Sequence, residues 1–336
     1  MKNDRPRISD VARLAGVSTA TVSRVLSAPA RVSPQTRAAV QDAISSTGYR
    51  LNEAARNLRH RRTGGIVALV PNLANPFFAQ ILSGIASVLG PAGYNLLIAD
   101  TRAEGAGRLL DYAHPSRADG LIVLDGALPA PALRGHIPLV EACEWVPGLS
   151  APRVKIDNRA AAGLAVDHLA DLGHRRIGHV AGPAGNVLSI ARLGGFRDRM
   201  RSRGLTLDEG WIWEGDFSLD SGQDAAAQWL ALPADRRPTA VFLASDAMAC
   251  GFIAEVQRCG LAVPRDLSVI GFDDIELVSH VWPPLTTIRQ PRTMIGRAAA
   301  ERLLRRLETR DVEDDDTILP VELVVRGSTA PPCGTP

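Results

Sequence analysis

Four cysteines in 336 residues, Cys143, Cys250, Cys259 and Cys333, are too few and too scattered for a disulfide framework. None stands in a CxxC pair or at Cys/His metal spacing, so reduced thiols in a cytoplasmic protein are expected, with no metal site. No apolar run approaches the roughly 18 residues that a membrane span requires. The opening MKNDRPRISDVARLAG carries charges where a signal peptide has its apolar segment. Also absent are a GxSxG elbow, a P-loop, an HExxH pair and a GxGxxG close behind the first strand, which would point to an α/β enzyme. His168, His174 and His179 lie near one another, but the first falls in a predicted helix and the last in a predicted strand. Surface and core histidines are expected there, not a reactive group. The acidic run EDDDT (313–317) reads as a solvated loop. Neither a catalytic residue nor a cofactor is expected.

What is present is a long chain with 46% apolar residues, 30 glycines and 23 prolines, enough for two or three domains and a large core. Its net charge of +2 hides an asymmetry. Residues 1–62 hold 12 Lys and Arg against 4 Asp and Glu, whereas the remainder holds 26 against 32. A basic head on an acidic body suits a nucleic-acid-binding module joined to a separate domain, although a solvated basic tail has the same composition.

The pattern inside the head is more specific. Ser9 is a candidate N-cap, with Val11, Leu14 and Ala15 at helical spacing behind it. Gly16 breaks that helix, because glycine alone enters a left-handed turn without steric cost. Ser18 opens a second helix whose apolar face is Val22, Val25 and Leu26. Thr19, Ala20, Ser23 and Arg24 fall on its other side. Ser33-Pro34 opens a third helix, with Ala39, Val40, Ala43 and Ile44 available to close a small core. Two helices joined by a turn of about four residues form a helix-turn-helix, whose second helix enters the major groove of DNA. Small residues at its start allow close approach to base edges. Arg24 can reach a base or a phosphate, and Ser18, Thr21 and Ser23 are phosphate donors. A generic three-helix bundle is the alternative.

Residues 50–62, RLNEAARNLRHRR, follow; Asn52 can cap a short helix containing Leu58, although such a helix is too short to be stable alone. From Gly65 onward strands alternate with helices: GIVALVPN, NLLIAD, DGLIVLDG, IPLVEA, RIGHVAG, TAVFLASD, LSVIGFDD and finally LPVELVVRG. This predicts doubly wound α/β architecture too large for one sheet, dividing after VKIDN (154–158). Ligands in such sheets sit beyond the carboxyl ends of strands. The pocket candidates are therefore Asn72 with Phe77 and Phe78, Asp125, the stretch Glu141–Glu144, Ser245-Asp246 and Asp273-Asp274. The adjacent aromatics cannot both face inward from one helix, so at least one is expected in the crevice. Asp at such positions also serves as a helix cap.

Residues 8–50, with ISDVARLAGVSTATVSRVLS and RVSPQTRAAVQDAISSTGY, resemble the DNA-binding head of the LacI/GalR family of bacterial transcription regulators. The resemblance continues through PNLANPFFAQI, VKIDN, LGHRRIGHVAGP, ARLGGF, FLASDAMACG, DLSVIGFDD and PPLTTIRQP, from about Gly65 to Thr329. It implies an α/β protein with a three-helix helix-turn-helix head (1–50), a hinge helix and linker (51–63) and a two-lobed periplasmic-binding-protein-like body (64–330) of doubly wound parallel sheets. Lobe 1 would comprise about 64–158 and 290–321, lobe 2 about 159–289 and 322–330, with a tail at 331–336. The implied protein is a cytoplasmic dimer, or a pair of dimers, on a pseudo-palindromic double-stranded operator. Leu58 would wedge into the minor groove, with Arg56 and Arg59 beside the backbone. An effector would bind between the lobes: Arg192 and Asp273 would hold hydroxyls, Phe77 and Phe217 would pack on its flat side, and Asn72 and Phe78 would line the pocket. Ser245 stands where many members have asparagine, and Cys143-Glu144 where others place an acid or aromatic. PLVEACEWVPGLSAPRVKIDN, EGDFSLDSG and LTTIRQPR resemble cytidine-responsive members more than sugar-responsive ones, which favours a nucleoside over a hexose or pentose. Helix 76–90 is a candidate dimer contact, although core packing also accounts for its apolar positions. A solute-binding protein of a transport system is the rival reading of the body.

Overall fold

The computed structural model describes residues 6–49, 62–102, 111–134, 137–309 and 315–333. The chain divides into two compact units, Met1–Thr63 and Gly64–Pro336. The expected hinge helix, with Leu58, Arg56 and Arg59, lies outside the described residues.

The first unit contains α1 (Ile8–Leu14), α2 (Thr19–Ser27) and α3 (Pro34–Thr47) around Val11, Ala12, Val22, Val25, Val40 and Ala43. The first helix starts two residues earlier than Ser9 as an N-cap predicts. Its N-cap is Arg7, whose N–H donates to the Asp10 carboxylate (2.9 Å), so an acid three residues on does the work assigned to a serine. Leu14 is 60% exposed and Ala39 is exposed, while Ala12 takes an inward place. The other starts behave as their sequence suggests. Ser18 and Ser33 accept from the backbone N–H of Thr21 and Thr36, and Pro34 occupies the first turn of α3. Gly16 has φ +63°, the left-handed value that lets four residues turn α1 into α2.

The second unit contains two six-stranded sheets. Lobe 1 is built from β1 (Gly65–Val70), α4 (Phe77–Leu89), β2 (Asn95–Asp100), β3 (Gly120–Val123), α5 (Ala130–Leu133), β4 (Leu139–Ala142) and β5 (Arg153–Ile156). The chain then enters lobe 2 through α6 (Asn158–Asp171), β6 (Ile177–Val180), α7 (Val187–Ser202), β7 (Ile212–Trp213), α8 (Leu219–Ala231), β8 (Ala240–Leu243), α9 (Asp246–Arg258), β9 (Ser268–Asp273) and β10 (Thr286–Arg289). Helix α10 (Arg292–Thr309) returns to pack on α4 and is followed by β11 (Thr317–Leu319) and β12 (Glu322–Val324).

The sheet orders are β11-β5-β4-β3-β1-β2 and β12-β10-β9-β8-β6-β7, parallel throughout except that β12 runs antiparallel to β10. The stretch LPVELVVRG is thus not one strand. Pro320 and Val321 separate β11 from β12, which belong to different sheets, because proline cannot donate to a ladder and releases the chain to cross. The helix α4 buries Ile81, Ile85 and Leu89 completely, so core packing accounts for its apolar face. It lies so close to α10 that a Cβ on Gly296 would stand 2.0 Å from the Ile81 carbonyl oxygen. A fully apolar β1 is buried at every position between these layers.

Candidate functional site

The α2 surface of the first unit presents Ser18, Thr19, Ala20 and Arg24 to solvent, opposite the buried Val22 and Val25. Thr21 and Ser23 are half-buried. The Ser18 and Thr21 hydroxyls lie 2.9 Å apart, and Ser27 donates to the Ser23 carbonyl at 2.8 Å. Ser18 therefore has a capping role, and Thr19, Ala20 and Arg24 form the small, unobstructed surface around it that a base edge or phosphate could meet.

In the second unit a cavity of about 390 Å³ opens where the carboxyl ends of both sheets converge. Residues after β1 to β4 supply one wall: Asn72, Asn75, Phe78, Arg102, Asp125 and Glu144. Residues after β6 and β7 supply the other: Asn186, Asp216 and Phe217. An aromatic ring thus stands on each side. Of the two adjacent aromatics, Phe78 lines the cavity. Phe77, equally buried at 6% exposure, meets Phe78 edge-on at 5.1 Å and faces the Arg292 guanidinium, 6.0 Å from its ring centroid. The sequence expectation gave Phe77 the flat contact; Phe78, not Phe77, lines this cavity, because α4 starts at Phe77 and turns it toward Arg292 of α10.

Arg192 and Asp273 are not among the cavity-lining residues; both are buried and hold each other. Arg192 is 2% exposed; its Nε donates to Asn158 (2.9 Å), its Nη1 to the Ala244 carbonyl (2.5 Å), and it stands 3.9 Å from the Asp273 carboxylate. Its guanidinium stacks on Phe272 at 3.7 Å and faces Phe217 at 5.9 Å. Asp273 accepts from Gln290 at 2.7 Å. Burial lowers the arginine's pKa and raises that of Asp273 to about 6, against the pull of Arg192. Cys143, itself buried, feels the charges of Glu144, Asp273 and Arg192. Burial pushes its thiol up, so it is inert as a nucleophile.

Ser245 caps α9, accepting from the Met248 N–H at 3.3 Å, and is 3% exposed; it is not among the cavity-lining residues. Asp246 is equally occupied, accepting from Thr287 (2.6 Å) and the Ile275 N–H (2.9 Å). Asp274 pairs with Arg289 and Arg326 at 2.6 Å each. Glu141 is buried against Arg153 at 3.0 Å. Asp125 accepts from Thr101 and from the Ala127 N–H. Glu144 spans the cleft, accepting from the Gly126 N–H (2.8 Å) on its own side and from Asn186 (3.0 Å) on the other. Among the described residues, the non-glycine positions with left-handed φ are Cys143 (67°), Phe217 (68°), Asp273 (121°) and Asp274 (55°). All follow or end a strand at this site, where such strain concentrates.

The strand-end rule had not reached Asn186, Arg102, Asn75 or Asp216. Asn186 was hidden by its structural role: its Oδ1 caps α7 through the Leu188 and Ser189 N–H groups, so the sequence reads as an ordinary helix start. Gln290 and Asn158, which fix Asp273 and Arg192, lie where the chain changes sheets, a feature that strand pattern alone does not place.

The profile of bacterial regulatory proteins of the lacI family matches residues 7–52, and that of the periplasmic binding protein-like domain matches residues 166–329. The HTH-type transcriptional repressor CytR of Escherichia coli (strain K12) is 40% identical over 328 residues, covering 96% of each chain. The HTH-type transcriptional repressor PurR of Aliivibrio fischeri (strain ATCC 700601 / ES114) is 36% identical over 331 residues, covering 96% of this chain and 98% of that protein. The crystal structure of the Lac repressor dimer bound to operator and the anti-inducer ONPF superposes with a TM-score of 0.84 at 30% identity, covering 97% of this chain and 100% of that one.

Proposed function

The chain belongs to the lacI family of bacterial regulatory proteins and is a ligand-responsive DNA-binding regulator; we propose that it is a cytoplasmic repressor whose effector is a nucleoside. The observation that carries the effector reading is the pair of aromatic rings, Phe78 and Phe217, facing one cavity from opposite walls. Two rings accept the flat faces of a base, and the Arg192–Asp273 pair, whose guanidinium faces the Phe217 ring, suits ribose hydroxyls. A hexose would use the hydroxyl-binding pair and leave one ring without a flat partner.

The proposed organisation is a head of residues 1–50, a hinge of 51–63 and a body of 64–330 split into lobes as expected above. The protein acts as a dimer on a pseudo-palindromic operator, with Thr19, Ala20 and Arg24 at base edges and Ser18, Thr21 and Ser23 near phosphates. Leu58 and Arg59 serve the minor groove and backbone; replacing Leu58 by alanine should weaken operator binding and reduce its bend, and unchanged bending would remove the hinge role. Effector binding changes the closure of the lobes and so the DNA affinity, with a coupling of about 1–3 kcal/mol. Among the described residues no helix is long and apolar enough to cross a membrane. The head argues against the transport alternative, which has no use for a helix-turn-helix.

Thermal unfolding with nucleosides, bases, pentoses and hexoses tests the effector class. A ligand at about 100 times its Kd adds roughly 2.7 kcal/mol. A shift with cytidine or adenosine and none with ribose is the expected result; shifts with sugars alone would overturn the nucleoside reading.

A further inference from the structure

The cavity wall that carries Asp125 and Glu144 has an unequal chemistry. Both side chains are buried, at 7% exposure, and both line the cavity. Each of their bonds uses up acceptor capacity from behind: Thr101 and the Ala127 N–H on Asp125, the Gly126 N–H on Glu144. A carboxylate oxygen accepts about two hydrogen bonds, so each acid keeps acceptor capacity toward the cavity. The two acids sense one another, and Asp125 adds to the burial that raises the pKa of Glu144. Opposite them stands Asn186, whose orientation is not free. Its Oδ1 is held by the Leu188 and Ser189 N–H groups at 2.9 and 3.1 Å, which forces Nδ2 toward the cleft. One Nδ2 hydrogen goes to Glu144, and among the described residues the other has no partner.

Two acceptors beside one donor is the complement of an amino group next to an aromatic ring nitrogen. An exocyclic amine brings two N–H bonds, one for each carboxylate, and the adjacent ring nitrogen accepts from the amide. A keto base offers one ring N–H to one acid and turns a carbonyl lone pair toward the other. Leaving a buried acceptor opposed in this way costs more than the bond it forgoes.

From this arrangement we infer that Asp125, Glu144 and Asn186 select the base of the effector, admitting amino-bearing bases such as cytosine and adenine and rejecting keto bases such as uracil and hypoxanthine. The inference rests on the nucleoside reading above. On binding, the base edge replaces the direct Glu144–Asn186 bond, so the same contact that reads the base also bridges the two walls.

Calorimetric titration of the full-length protein with cytidine, adenosine, uridine, inosine and N4,N4-dimethylcytidine tests it, in the parent and in Glu144→Gln. In the parent, cytidine and adenosine should bind at least tenfold more tightly than the other three, as expected for hydrogen bonds to charged groups. In E144Q the Gly126 N–H claims the amide oxygen, so a donor faces the cavity and the preference should fall to within about threefold. Uridine or inosine binding the parent as tightly as cytidine would overturn the inference and leave the nucleoside reading standing. Full preference retained in E144Q would remove Glu144 from the reader. If none of the five nucleosides binds, both readings fall together. Because the ligand series is run on the parent protein, the inference stays refutable if E144Q does not fold.

Discussion

Replacing Arg192 by methionine removes a buried cation but not the acid beside it, and the consequence depends on pH in a way the structure bounds. With Arg192 present, burial raises Asp273 to about 6. Without the arginine its pKa must rise further, because the largest opposing influence is gone. A raised carboxyl pKa contributes stability that is complete below its unfolded value and is lost as pH climbs to the folded one. The parent therefore stops losing stability from this group near pH 6, whereas the variant continues to pH 7 at about 1.4 kcal/mol per unit. That increment, about 1.4 kcal/mol, caps the charge contribution at pH 7, since the acid takes a proton instead of remaining buried and ionised. At pH 5 Asp273 is mostly protonated in both proteins and the charge contribution vanishes. What remains at either pH is the loss of the bonds to Asn158 and the Ala244 carbonyl, about 1–3 kcal/mol for buried groups left unpaired. Urea unfolding at pH 5 and pH 7 should thus show R192M more destabilised at the higher pH by about 1 kcal/mol, and R192M/D273N should lose that difference. A destabilisation equal at the two pH values would refute the linkage between Arg192 and Asp273.

His179 is stacked between Phe196 and Phe242, fully buried, with its pKa lowered to about 3 by desolvation. Its contribution is complete above the unfolded value near 6.5 and declines as pH falls toward 3, by about 2 kcal/mol at pH 5; His179→Phe should flatten that part of the stability profile in urea titrations. Gly296→Val should cost at least about 1–3 kcal/mol by thermal unfolding, because α10 cannot approach the Ile81 carbonyl with a side chain in between. Arg24→Ala should leave unfolding unchanged, since the residue is exposed, and weaken specific operator binding by about 1–3 kcal/mol in a fluorescence titration.

The periodic parts of the molecule were legible because their signals are local. Continuous apolar runs such as GIVALV have no outlet except burial on both faces, and β1 is buried throughout. Ser18 and Ser33 cap where expected because a hydroxyl three residues ahead of an N–H is a short-range contact. Where a competing short-range partner existed, the reading shifted, as at Asp10, which captured the start of α1 from Ser9. Failure came where placement depends on the path between sheets. Pro320 splits one apparent strand in two, and the direction of Phe77 is set by α10, which lies more than two hundred residues further along the chain. For the site, the family resemblance supplied Phe217, and strand ends located Asn72, Phe78, Asp125 and Glu144 near the cavity. They could not tell that Ser245 and Asp246 are spent on a cap and on β10, or that Asn186 does two jobs at once.

The central claim is that occupancy of the body changes the affinity of the head for DNA. The direct measurement is fluorescence anisotropy of the full-length protein on a duplex selected from a random pool, titrated with and without saturating cytidine or adenosine. A change in operator Kd of about fivefold or more, matched by an equal change in nucleoside affinity when operator is present, is the predicted result. An operator Kd that stays the same with every ligand shown to bind the body would contradict the account.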